Sequence, residues 1–173
     1  ILANQSDARA PYYLGNLLYD WQPQEALLLW ENASKLDPGM PIVWRNLGIA
    51  YSHLKDDDAI KKAIICFEKA INISKPYPTH LVELDQLYKA EGIPVAKRLA
   101  LLEKNKTVVS KKDDALGALI NLKIFNGEVN EAISLMQNRI FNIWEGGSAF
   151  NTGQAWADAH LIKGLTFYKK KQY

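Results

Sequence analysis

A carboxylate next to an aromatic ring on a glycine-flanked segment can stack against and hydrogen-bond to a sugar, and Trp144-Glu145-Gly146-Gly147 has that composition. Glycoside hydrolysis would need a second carboxylate across the scissile bond; no partner stands out in the sequence, Asp158 and Glu131 being candidates with nothing to single them out. No catalytic residue is assigned on that basis. The structural alternative for the same segment is that Trp144 plugs a gap between neighbouring helices while Glu145 caps or pins the loop. His53, His80 and His160 lack metal-ligand spacing, so no metal and no other cofactor is expected. The single cysteine, Cys66, has no base beside it in sequence; next to Phe67 on a core-facing helix it reads as a buried packing residue.

The elements that would position these groups are helices. Leu14-Gly15 is followed by Ala26, Trp30, Ala33 and Pro38; Trp44, Leu47-Gly48 and Tyr51 are followed by Ala63, Phe67, Ala70 and Pro76. The small residue of the first helix permits close crossing by the second, whose Ala, aromatic and Ala share one face; a proline then ends the unit. This pattern resembles the tetratricopeptide repeat (TPR), a pair of antiparallel helices that stacks with copies of itself at about 34 residues per step. The resemblance implies an all-α, right-handed superhelix of about four and a half helix pairs, an α-solenoid whose last repeat is incomplete.

The bulk composition agrees with such a scaffold. The 173 residues are 48% hydrophobic, and 21 Lys and Arg against 19 Asp and Glu leave a net charge of +2. That balance argues against a nucleic-acid or membrane surface, which would need a concentrated basic stripe, and no run is long and apolar enough to span a bilayer. One cysteine allows no internal disulfide, which fits a reducing compartment such as the cytoplasm without fixing one. The sequence starts at Ile1 and stops at Tyr173 inside a motif, so it is expected to be a piece of a larger protein.

Along the chain, a single helical domain is expected over 1–173. Repeat 1 occupies 1–38, with helices from about Asp7 to Tyr19 and Pro23 to Leu36, and repeat 2 occupies 39–76, with helices from about Pro41 to Leu54 and Asp58 to Ile73. Asp56, Asp57 and Asp58 are candidate N-caps and place negative charge at a helix N-terminus. A degenerate repeat 3 follows over 77–104, then a polar connector from Asn105 to Lys112 and repeat 4 over 113–138. The segment 139–152 reads as a loop, and 153–173 as the first helix of repeat 5, with Gly164, Phe167 and Tyr173 in register.

Several segments are more specific than the generic repeat. Glu83-Leu84-Asp85-Gln86-Leu87-Tyr88, Arg98-Leu99-Ala100-Leu101-Leu102-Glu103, Asp113-Asp114, Phe141-Asn142-Ile143-Trp144-Glu145-Gly146-Gly147 and Ala159-His160 together resemble one group. It is the repeat region of large bacterial proteins whose N-terminal part is a domain of unknown function with a galactose-mutarotase-like β-sandwich. The resemblance spans the chain and implies a bacterial, carbohydrate-related parent. It transfers no catalytic residue.

The TPR resemblance also implies a groove lined by first-helix residues that face away from the second-helix layer. Here those are Arg9, Tyr12, Asn16 and Tyr19, then Arg45, Ile49, Ser52 and His53, then Val82, Gln86 and Lys89. Aromatics, amides and cations in that mixture suit an extended peptide or an adjacent domain of the same chain. A two-carboxylate clamp for acidic chaperone tails is disfavoured: Asn16 and Asn46 match its pattern, but Tyr12, Thr79 and Glu83 stand where cations are needed. The expectation is therefore a non-catalytic interaction or docking scaffold with a protein partner and no nucleic acid. Carbohydrate enters only through the parent protein. In the alternative, Trp144 and Glu145 complete a sugar site in an upstream domain.

Overall fold

The computed structural model describes residues 7–56, 58–137, 139–142 and 150–171. Ten helices are present among them and no strand: α1 (Arg9–Leu18), α2 (Pro23–Leu36), α3 (Pro41–Ser52), α4 (Ala59–Ile73), α5 (Pro78–Ala90), α6 (Val95–Lys104), α7 (Lys106–Val109), α8 (Asp113–Phe125), α9 (Val129–Met136) and α10 (Thr152–Lys171). Pro23 and Pro41 open α2 and α3, where a missing N–H costs nothing and the fixed φ already suits the helix. By contacts the chain divides into two compact units. One comprises Ile1–Pro76 with Gln86–Glu91; the other comprises Tyr77–Asp85 with Gly92–Tyr173.

In the first unit each helix pair is closed by an aromatic ring lying on a glycine. A Cβ on Gly15 would come within 2.5 Å of the Trp30 indole, and one on Gly48 within 2.5 Å of the Phe67 ring. Trp30 and Phe67 are buried as a result. Ala26, Trp30, Ala33, Val43, Leu47, Ala50 and Cys66 form a continuous core that joins the α1–α2 pair to the α3–α4 pair. Leu14, beside Gly15, stays 45% exposed, so the glycine rather than the leucine makes the crossing.

In the second unit α8 is the central helix, packing against α6, α7, α9 and α10. Ala115, Leu116, Leu119, Ile120, Leu122 and Ile124 are all buried; a helix apolar on nearly every side needs partners all round. Gly117 accommodates the Phe150 ring, which packs onto it directly. The helix ends in a glycine cap. Gly127 has φ 83, and the N–H groups of Gly127 and Glu128 donate to the carbonyls of Ile124 (3.1 Å) and Lys123 (2.8 Å), satisfying two otherwise orphaned acceptors.

Three local expectations are corrected. The connector between Asn105 and Lys112 contains the short helix α7, because Val109 is fully buried. The aspartates before α4 do not cap it through their side chains: Asp58 pairs with Lys61 at 3.3 Å and Asp56 with Lys62 at 3.1 Å, while Asp57 lies outside the described residues. Val82, assigned above to the groove, is buried and belongs to the core.

Candidate functional site

Within the first unit, Tyr12, Asn16 and Tyr19 lie in or just after α1, and Asn46 and Ile49 lie on α3. Together with the Trp30 ring they line an open cavity of about 300 Å³. Helical spacing explains the set: residues three, four and seven apart share a face, so α1 and α3 each present a short ladder to the same space. Tyr19 packs against Trp30 with ring centroids 5.1 Å apart and the rings tilted by 42°, which ties the wall of the cavity to the core beneath.

The polar part is an oriented asparagine pair. Asn16 Oδ1 accepts from Trp30 Nε1 at 3.2 Å and from Asn46 Nδ2 at 2.8 Å, while the same indole N–H also reaches the Tyr12 carbonyl at 3.2 Å. Those bonds fix both amides. Asn16 Nδ2, a donor, and Asn46 Oδ1, an acceptor, are left without a hydrogen bond to any described residue. At the rim the Tyr19 hydroxyl lies 3.0 Å from His53 Nδ1. Burial, with Asp20 nearby, pushes that hydroxyl above its ordinary pKa, so it stays protonated. No lining residue carries a formal charge.

Of the other expected groove residues, Arg9 points elsewhere: its guanidinium makes hydrogen bonds of 2.9 and 2.7 Å to Asp7. Those bonds hold the Asp7 carboxyl at about 2. Arg45 is half-buried on α3 and lies outside the cavity lining. Gln86 and Lys89 are exposed on α5 and are not part of the lining either. Trp144 and Glu145 lie outside the described residues. The two acids considered as catalytic companions for Glu145 are already engaged, Glu131 with Lys123 at 2.9 Å and Asp158 with Gln154 at 2.7 Å. Burial pushes the Cys66 thiol up to about 11, which leaves it protonated and unreactive at neutral pH.

A recurrent polar bridge was not foreseen. Glu31 accepts from the Tyr51 hydroxyl and Glu68 from the Tyr88 hydroxyl, each at 2.6 Å across twenty residues. Glu103 and Lys123 repeat the bond at the same spacing. The signal was in the sequence: each glutamate directly follows the large apolar residue of its helix, Trp30, Phe67 or Leu102. Lys123 also binds Glu128 (2.7 Å) and Glu131 (2.9 Å). Among the described residues these three glutamates are the one acidic group close enough to share a metal ion, but the buried ammonium already fills that role. Burial alone would lower the Lys123 pKa; three carboxylate hydrogen bonds outweigh it and raise it.

No protein-family model matches the chain. Solved structures do. The YrrB structure, described as a TPR protein with an unusual peptide-binding site, superimposes with a TM-score of 0.68 at 19% identity, over 97% of this chain and 80% of that one. MamA aligns with a TM-score of 0.62 at 18% identity, covering 99% of this chain and 84% of that one. The fold is a TPR fold. The Cut9-Hcn1 assembly of the APC/C is similar over 95% of this chain and 35% of that one, with a TM-score of 0.54 at 15% identity. The cavity therefore lies between the first helices of two successive TPR helix pairs, α1 and α3. No helix among the described residues is long and apolar enough to cross a membrane.

Proposed function

We propose that this chain is a non-catalytic TPR scaffold that holds an extended, uncharged stretch of a partner polypeptide in the α1–α3 cavity. The observation that carries this reading is the fixed asparagine pair. Asn16 Nδ2 and Asn46 Oδ1 offer one donor and one acceptor, the complement of a peptide C=O and N–H, and Tyr12, Tyr19 and Ile49 surround them with apolar area for a side chain. An uncharged lining recognises main chain rather than a carboxylate, which agrees with Tyr12 and Glu83 standing at clamp positions that would need cations. YrrB, described as having a peptide-binding site, makes a peptide a natural first ligand to try. Arg9, Arg45, His53, Gln86 and Lys89 would act, if at all, as a periphery beyond this cavity.

The test is selection of binding peptides from a random displayed library, followed by affinity measurement against Tyr12→Ala and Ile49→Glu variants of unchanged helicity. Each variant should weaken selected peptides by about tenfold or more, or about 1.4 kcal/mol. Raising the salt from low to about 0.5 M should change little, since no charge pair is made. Peptides that bind both variants as tightly as the native chain would place the partner site elsewhere.

The carbohydrate-related parent, and the alternative in which Trp144 and Glu145 complete a sugar site, rest on sequence resemblance alone. Turnover of a sugar substrate by the parent protein that disappears in Glu145→Ala with folding intact would favour that alternative.

A further inference from the structure

The rings of Trp30 and Phe67 fill the same kind of seat, over Gly15 and Gly48, but only the first brings a hydrogen-bond donor with it. The residue after each glycine differs in step: Asn16 follows Gly15, whereas Ile49 follows Gly48. Packing of the crossing needs the ring alone, as Phe67 shows. The indole N–H is therefore available for a second use, and it is spent on Asn16 Oδ1 at 3.2 Å, the same oxygen that accepts from Asn46 Nδ2 at 2.8 Å.

Two asparagines bonded to each other can be arranged in two ways. Either Asn46 donates to Asn16, leaving Asn16 Nδ2 and Asn46 Oδ1 for a ligand, or both amides turn over and a ligand meets Asn16 Oδ1 and Asn46 Nδ2. The pair by itself gives neither arrangement an advantage. An indole N–H donates and never accepts, so Asn16 satisfies it only with Oδ1 turned toward it, and that choice fixes Asn46 in turn. We propose that Trp30 is a positioning residue whose N–H holds the amide pair in the first arrangement and so sets the direction of a bound peptide, C=O toward Asn16 and N–H toward Asn46. This rests on the reading of the α1–α3 cavity as a peptide site, and adds that the cavity accepts one polarity of main chain. A reversed amide would set acceptor against acceptor and donor against donor, leaving polar groups unpaired on both sides.

The free chain gives the first readout. Two N–H groups that share one acceptor oxygen bring their hydrogens within about 4 Å of each other, so the native chain should show a nuclear Overhauser contact between the Trp30 indole N–H and the Asn46 side-chain amide. Its absence overturns the proposal whether or not peptides bind. The second readout compares, by fluorescence anisotropy, a peptide selected on the cavity with its retro-inverso counterpart, which keeps the order of side chains but exchanges every C=O with N–H. The native chain should bind the selected peptide tighter by about tenfold or more. Trp30→Phe keeps a ring over Gly15 and should shrink that ratio to about threefold or less with helicity unchanged in circular dichroism. A merely structural role would weaken both peptides alike and leave the ratio as it was. Where Trp30→Phe does not fold, benzothienylalanine at position 30, a tryptophan isostere without the N–H, takes its place. An unchanged ratio overturns the positioning role, and if those peptides still lose affinity in Ile49→Glu the cavity reading stands. Peptides indifferent to Ile49→Glu overturn both.

Discussion

Gly48 and Ala63 make the α3–α4 crossing with almost no side chain, whereas the α5–α6 pair places Asp85 and Arg98 at the corresponding positions. Asp85 precedes Tyr88 by three residues as Gly48 precedes Tyr51, and Arg98 precedes Leu102 as Ala63 precedes Phe67. The two form a bidentate pair of 2.8 and 2.9 Å with side chains 7% and 12% exposed. Two small residues have been exchanged for one large ion pair, so neither partner is tolerable alone. Breaking a buried pair leaves an uncompensated charge, at a cost of about 3 to 5 kcal/mol, while replacing both partners can be close to neutral. Asp85→Ala and Arg98→Ala should each lower the free energy of urea unfolding by about that amount. Asp85→Ala with Arg98→Ala, which leaves a pair of small residues, should cost less than either. Additive losses in this double-mutant cycle would show that the two side chains act independently. This exchange also marks where the sequence stopped being legible. Gly15, Gly48, Trp30 and Phe67 could be read because small and aromatic residues at fixed spacing have one packing use. A charged residue at a core position reads as a departure from the pattern until its partner is seen beside it. The same contrast holds in the cavity: helix periodicity alone brings Tyr12, Asn16, Tyr19 and Ile49 together, but it could not show that Asp7, two residues away, captures Arg9.

At the scale of elements, α8 shows how one polar side chain can serve a helix that is otherwise all core. The Lys123 side chain is fully buried, yet its ammonium joins Glu103 of α6 to Glu131 of α9 and to Glu128 in the turn between α8 and α9. Three helices are thereby held at one point. The arrangement also makes this part of the chain sensitive to acid. Hydrogen bonds from Lys123 and Asn126 hold Glu128 below its ordinary 4.5. At Asp113 burial alone would raise the carboxyl, but the Arg139 guanidinium and the Asn142 N–H outweigh it and hold it below its ordinary 3.8. A group whose pKa is depressed by folding contributes stability that is complete above its unfolded pKa and lost as the pH falls through the folded one. Stability should therefore decline below about pH 4.5, with the unfolded chain taking up the protons. Lys123→Met removes the bonds that depress Glu128 and leaves three carboxylates facing one another. It should lower stability at pH 7 by about 1.5 to 3 kcal/mol and flatten the decline between about pH 4.5 and 3. Chemical denaturation across that range reads both effects. A Lys123→Met chain with native stability at pH 7 would mean that the ammonium is not the joint described here.

For the molecule as a whole, the two compact units are held by different means. The first relies on rings against glycines, Trp30 on Gly15 and Phe67 on Gly48, around an apolar core. Asp7, whose carboxyl is held low there, is half-buried and paired with Arg9 two residues away, so protonating it loosens only the entry to α1. The second unit adds the Asp85–Arg98 pair, the Lys123 joint and the Arg139–Asp113 bridge of 2.6 Å, all of which tie separate segments together. In a stacked helical repeat each element contacts only its neighbours, so loss of stability in one part need not be transmitted to the rest. Acid should consequently open the chain in order. In hydrogen exchange followed by mass spectrometry from pH 7 down to about 3, with rates corrected for intrinsic chemistry, peptides from α6, α8 and α9 should lose protection first. Those from α2, α3 and α4 should hold theirs to lower pH. Simultaneous loss in all of them would show that the units unfold as one cooperative body. Loss beginning in α2 to α4 would show that the ring-on-glycine crossings, not the buried ion pairs, are the weaker contacts in acid.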